Sequence, residues 1–205
     1  MIPTVENDRS HLKYTRSMGE KAERDRVVET ADELYNGRGI QTVGMDELRR
    51  VSGLSLKAIY GLFPSKAHIV LAVLDRRHDA WTAALTARVE RIPAPQKKLL
   101  AIYDYLADWF SEDSFNGCGF INAFAELGAV APEVAERARA HKIDFQRYVA
   151  RLVSDAHGPP ELAPQLAILA EGAQTTAAIS GTADAAQHAR AAAEVLIRSA
   201  LPVVS

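Results

Sequence analysis

The sequence predicts an all-α chain of nine helices. Apolar residues recur at three- and four-residue spacing along almost its whole length, and Gly- or Pro-containing breaks cut that pattern into nine pieces. No segment alternates apolar and polar residues as a half-buried strand does. With 205 residues and 48% hydrophobic side chains, the chain has enough material for a small domain joined to a larger one.

The first helix is expected over residues 20–36, where Val27, Val28, Ala31, Leu34 and Tyr35 keep helical spacing among charges. Asn36-Gly37, with Gly39 beyond, supplies the stop. A short helix follows from Met45 to Val51, with Asp46 and Glu47 in its first turn, where they complement the helix dipole. Ser52-Gly53-Leu54 breaks it, and Ser55 is a good N-cap for the helix carrying Leu56, Ile59, Tyr60 and Leu62. Phe63-Pro64 ends that helix, because the residue before proline leaves helical geometry. Ser65 caps a longer helix reaching Glu90. Beyond Pro93 and Pro95 the pattern predicts helices ending at Phe110, over 118–129, from Pro132 to Ala156, over 161–180 and over 184–200. Residues 1–19 are expected to be a flexible arm, residues 20–66 one domain, and residues 67–205 a second. Arg9, Lys13 and Arg16 on the arm are of the kind that enters a minor groove in other proteins.

Two short helices joined by a Gly-containing turn form a helix-turn-helix pattern. The glycine is expected where backbones approach closely. Met45, Leu48, Val51, Leu54, Ile59 and Phe63 are expected to pack the unit, leaving Arg49, Ser55, Lys57, Ala58 and Gly61 outward. In such motifs the first turn of the second helix reaches base edges in the major groove, which assigns Ser55, Leu56, Lys57 and Ala58 to the DNA side. The overall charge of −2 does not favour nucleic acid, but its distribution does. From Leu48 to Leu74 the chain holds Arg49, Arg50, Lys57 and Lys66 and no acid, whereas acids outnumber bases from Gly19 to Glu47.

The residues Arg26-Val27-Val28-Glu29-Thr30-Ala31, Leu34-Tyr35, Gly39-Ile40, Met45-Asp46-Glu47-Leu48, Ser52-Gly53-Leu54-Ser55, Ile59-Tyr60 and Phe63-Pro64-Ser65-Lys66 resemble the N-terminal domain of the TetR family of repressors. The resemblance covers about 50 residues, and the helix order of the remainder resembles that family's nine-helix fold. It implies that the third helix reads the groove and that Tyr60 and Lys66 touch phosphates. Lys66 also lies in the first turn of a helix, where backbone N–H groups and a cation together hold an anion. The DNA-facing set is then Thr42, Arg49, Ser55, Leu56, Lys57, Ala58, Tyr60 and Lys66. Lys57 and Ala58 stand where many members carry Gly and Thr, Gly61-Leu62 replaces a polar pair, and Arg49 stands where a small residue is usual.

The second domain concentrates large side chains and is expected to leave a mostly apolar pocket with few polar anchors. Trp81, Tyr103, Trp109, Phe120, Phe124, Phe145 and Tyr148 are the candidate lining residues, with Asn122, Glu126, His141 and Gln174 as anchors. The resemblance implies a small-molecule inducer, lipophilic or aromatic on this lining. Cys118, the single cysteine, is read as a packing residue because no cation lies within three positions. The last two helices, about 161–200, put small side chains on faces suited to a homodimer contact: Leu162, Leu166, Leu169, Ala173 and Ala177 on one, Ala185, Ala189, Ala192, Leu196 and Ala200 on the other. A twofold dimer suits a palindromic operator in double-stranded DNA, since two heads roughly 34–36 Å apart match one duplex turn.

The chain carries no Gly-rich phosphate loop, nucleophile elbow, HExxH or metal-ligand spacing, so the reading is a regulator without cofactor or metal and not an enzyme. An interaction bundle with a vestigial helix-turn-helix is the competing class, and DNA binding separates the two. With no apolar run of 18 residues and no apolar leader block, a cytoplasmic protein away from membranes is expected.

Overall fold

The computed structural model describes residues 6–201, with side chains from residue 17 onward. Its nine described helices are α1 (Glu6–Arg38), α2 (Met45–Ser52), α3 (Leu56–Leu62), α4 (Lys66–Glu90), α5 (Pro95–Phe110), α6 (Gly119–Leu127), α7 (Pro132–Asp155), α8 (Leu162–Ser180) and α9 (Asp184–Ala200). Among the described residues there is no strand, and no single helix is long and apolar enough to cross a membrane. The all-α reading and the helix order hold. The first helix differs: α1 begins at Glu6, so residues 6–19 of the expected arm are helical, and it runs on to Arg38. Arg9, Lys13 and Arg16 lie outside the described side chains. The stop is Gly39 alone, whose φ of 81° takes the left-handed backbone that ends a helix.

The chain divides into two compact units, Met1–Val73 and Leu74–Ser205. The division falls inside α4, after Val73 rather than after Lys66, because the first turns of α4 carry Ile69 and Val70 into the first unit, both fully buried. In that unit Val27, Ala31 and Tyr35 of α1 join Leu48 of α2, Ile59 of α3 and Phe63 in one core. Each of the larger side chains among them, such as Leu48, Ile59 and Phe63, contributes about 1.5–3 kcal/mol by leaving water. The Arg24 guanidinium lies 4.2 Å over the Phe63 ring and donates to the Leu62 carbonyl at 3.0 Å, which ties α1 to the end of α3.

In the second unit α9 packs on α5 and α8, and α7 packs on α5, α6 and α8. The core runs from Leu85 and Val89 through Leu99, Ile102, Leu106, Val149 and Leu166 to Ala193 and Ile197. Tyr103 is fully buried there and donates its hydroxyl to the Leu166 carbonyl at 2.8 Å, while Arg190 of α9 reaches Asp104 of α5 at 2.7 Å. The small-residue faces expected at a dimer contact lie mainly inside this core. Leu162, Leu166, Ala173, Ala177 and Ala189 are all buried within the chain, because alanine lets α8 and α9 approach each other closely. The outward stripe of α8 is instead Ile168, Gly172, Thr175 and Ile179, and that of α9 is His188, Ala191, Ala192, Val195 and Ser199.

Candidate nucleic-acid interface and buried cavity

The turn between α2 and α3 is held by its own backbone. Gly53 caps α2 with φ 72° and donates its N–H to the Arg49 carbonyl at 3.1 Å. A Cβ at this position would meet nothing within 4 Å, so glycine is required by the left-handed backbone and not, as expected from sequence, by a close approach. Gly53→Ala should therefore cost about 1–2 kcal/mol, read as a lowered urea midpoint with an unchanged fold by circular dichroism. Ser55 caps α3, its Oγ accepting from the Ala58 N–H at 3.1 Å. The cap leaves the Ser55 hydroxyl proton available to an outside acceptor.

Core and surface sort almost as the spacing predicts. Leu48, Ile59 and Phe63 are buried, Met45 and Leu54 half-buried. Val51 faces outward at 44% exposure, and Ser52 takes the inward place, its Oγ near the Arg49 carbonyl and accepting from the Leu54 N–H at 3.4 Å. The leading turn of α3 is open: Ser55 and Lys57 are exposed, Leu56 and Ala58 partly so, and Tyr60 further along is 48% exposed. Arg49 is exposed beside α3 and pairs only loosely with Asp46 at 3.5 Å.

Two of the expected DNA-facing residues also make contacts within the chain. The Lys66 ammonium donates to the Ile40 carbonyl at 2.5 Å and the Val43 carbonyl at 2.6 Å, and lies 5.7 Å from the Tyr35 ring. It closes the 39–44 segment onto the start of α4, which uses two of its three donors. Thr42 donates its single hydroxyl proton to the Arg38 carbonyl at 2.5 Å, so what it offers outward is an acceptor, which a phosphate cannot use.

In the second unit a half-enclosed cavity of about 470 Å³ lies between α4 and α7. Its α4 wall is His78, Trp81, Thr82, Leu85, Thr86 and Glu90, and its α7 wall is His141, Asp144, Phe145, Arg147, Tyr148 and Arg151. Trp81 meets Phe145 and His141 edge-on, both with ring centroids at 5.4 Å, and Phe120 stacks flat behind His141 at 3.7 Å. Burial, with Lys142, His78 and Arg137 close by adding to it, pushes the His141 pKa down to about 3. The neutral ring shares a hydrogen with His78, Nδ1 to Nδ1 at 2.9 Å. Two buried donors on these walls, Trp81 Nε1 and the Tyr148 hydroxyl, have no hydrogen-bond partner of proper geometry among the described residues, although Thr86 stands near the phenol. Leaving such groups unpaired costs about 1–3 kcal/mol each. Burial raises the Tyr148 pKa, so its phenol keeps the proton to donate.

Of the expected lining residues, the cavity gathers Trp81, Phe145 and Tyr148, with His141 as an anchor. Tyr103 is core, Trp109 packs with Phe110 and Phe115, and Phe120 forms the second layer. Asn122 donates to the Asn116 carbonyl at 3.1 Å, Phe124 is 53% exposed, and Glu126 and the buried Gln174 do not line this cavity. Cys118 is buried as expected, but a cation does reach it: Lys142 Nζ lies 3.5 Å from Sγ while ion-paired to Glu171.

Known proteins share this architecture. A family model for bacterial regulatory proteins of the tetR family matches residues 27–73, and a model of the tetracyclin repressor-like C-terminal domain matches residues 95–193. The chain belongs to the TetR family of transcriptional regulators. A TetR-family regulator from Streptomyces coelicolor superposes with a TM-score of 0.82 at 25% identity, over 88% of this chain and 96% of that one. A TetR regulator from Chloroflexus aurantiacus superposes at 0.77 with 24% identity over the same shares. The HTH-type transcriptional activator FasR of Mycolicibacterium smegmatis is 27% identical over 116 residues, 57% of this chain and 52% of FasR, so the match spans about half that relative's length. The TetR family is one of transcriptional regulators rather than enzymes.

In this TetR-family chain, reading the sequence for aromatics missed His78, Thr82, Thr86, Glu90, Asp144, Arg147 and Arg151 as cavity residues. Spacing carried a usable signal. Positions 78, 81, 82, 85 and 86, and positions 141, 144, 145, 148 and 151, each form one helical stripe that mixes aromatic with polar side chains. A stripe of that composition is poor material for a dry core.

Proposed function

We propose that this TetR-family chain is a homodimeric repressor that binds a palindromic operator through α3 and is released by a small lipophilic or aromatic molecule held between α4 and α7. The open leading turn of α3 carries the reading: Ser55 and Lys57 stand outward on a turn whose geometry Gly53 and the Ser55 cap hold. Seven residues in two turns suit insertion into a major groove, and Tyr60 on the same short helix suits a backbone contact. Dimerisation is assigned to the outward stripes of α8 and α9, where Ile168, Ile179 and Val195 expose 68%, 82% and 56% of their surface. Release follows if the ligand favours a conformation in which the two heads no longer match the half-sites, by as much as its affinities for the two conformations differ.

Fluorescence anisotropy on DNA from upstream of the protein's own gene tests the reading. Lys57→Ala should weaken binding about tenfold with no change in melting temperature, since an exposed lysine contributes to DNA and not to the fold. Parent-like binding by that variant would remove α3 from the groove. FasR is named as an activator, and a reporter in a deletion strain separates the signs: increased transcription supports repression, and lost transcription supports activation.

A further inference from the structure

We infer that the molecule received between α4 and α7 is an aromatic monocarboxylate, its ring against Trp81 and Phe145 and its carboxylate against Tyr148 and Arg151. The inference rests on reading this cavity as the effector site and goes beyond it by naming the chemistry. Shape comes first. The α4 wall runs from residue 78 to residue 90, which at the rise of a helix makes a slot about 18 Å long, and the volume lies in the range of small-molecule sites. Its middle is Trp81, Leu85 and Phe145, a wall that accepts a flat hydrophobic body.

Hydrogen bonding then sets polarity. An indole N–H only donates, and a phenol that keeps its proton donates too. The Trp81 indole N–H, without a partner among the described residues, and the Tyr148 phenol, with Thr86 beside it, are donors on facing walls that suit acceptor oxygens. Charge decides between a neutral acceptor and an anion. At the histidine end Arg147 pairs with Asp144 at 3.5 Å, so that end is matched. At the other end Glu90 is neutralised by Lys98 at 2.6 Å. Arg151 lies 5.6 Å from the Tyr148 ring, and among the described residues no acid pairs with it. One cation beside a donor hydroxyl fits one carboxylate, whereas a doubly charged phosphate would leave charge unmatched on an apolar wall.

Titrations of the full-length Trp109→Phe protein, in which Trp81 is the sole tryptophan, test this with naphthoate, naphthamide and decanoate. Naphthoate is expected to quench Trp81 and to bind about tenfold more tightly than the isosteric amide, the usual advantage of a charge-assisted bond. Arg151→Gln should abolish that preference while leaving naphthamide binding intact, and Tyr148→Phe should weaken both. Equal affinities for acid and amide, tighter binding of decanoate, or no binding by any of the three would overturn the inference. Operator affinity is measured separately on the same samples. Naphthoate that binds as described without releasing DNA supports the ligand class and refutes the cavity's regulatory role.

Discussion

Lys66→Ala is expected to destabilise the N-terminal unit by about 2–4 kcal/mol, because it removes two charge-assisted hydrogen bonds at once. The ammonium is the link between the carbonyls of Ile40 and Val43 and the first turn of α4. Without it the 39–44 segment loses its anchor, and α2, which starts at Met45, loses its placement under α3. Urea unfolding followed by circular dichroism should show the loss as a lower midpoint, with Lys66→Met nearly as damaging because the stem alone cannot donate. A phosphate-contacting lysine behaves in the opposite way. Its removal would leave the midpoint in place and lower the slope of log affinity against log salt by about one. The two measurements together separate a residue that builds the reading head from one that touches DNA.

The paired substitution Ile168→Asp and Ile179→Asp is expected to convert a dimer into folded monomers. Both side chains stand almost free of the chain's own core, so their replacement should move stability by no more than about 0.5 kcal/mol. Two carboxylates facing their own copies across a twofold axis would instead be desolvated together without counter-charges, a large penalty for association. Light scattering should report half the mass. Operator affinity should fall by about 100-fold, because the second head then binds as a separate molecule and no longer at the high effective concentration its partner provides. Ala177→Asp, at 2% exposure, is the contrasting variant and should unfold the chain. A dimer that survives the isoleucine pair would place the interface elsewhere.

Much of the first unit was legible because its determinants are local. The Ser55 cap, the Gly53 turn, the acids opening α2 and the break at Phe63-Pro64 act within a few residues, and the structure has each of them in place. What was not legible there acts over distance: Lys66 reaches carbonyls 23 and 26 residues away, a contact its position at a helix start did not suggest. Val51 and Ser52 exchanged expected places because a helix of eight residues offers two spacings close enough to compete, and the packing partner decides between them. In the second unit, ring size marked Trp81, Phe145 and Tyr148 but marked Tyr103 and Trp109 equally, since burial and pocket lining favour the same side chains.

The linear sequence by itself determined the all-helical class, the order and most ends of the helices, and the turn that presents α3. Those follow from backbone preferences and periodic hydrophobicity, which neighbouring residues set. Only the tertiary structure decided that Ser52 and not Val51 faces the core, that the alanines of α8 and α9 join them to each other, and that Lys142 reaches Cys118. It also decided that the Trp81 and Tyr148 donors line one slot between α4 and α7. Those outcomes depend on which residues distant in the chain come within a few ångströms of each other, and side-chain packing sets that distance.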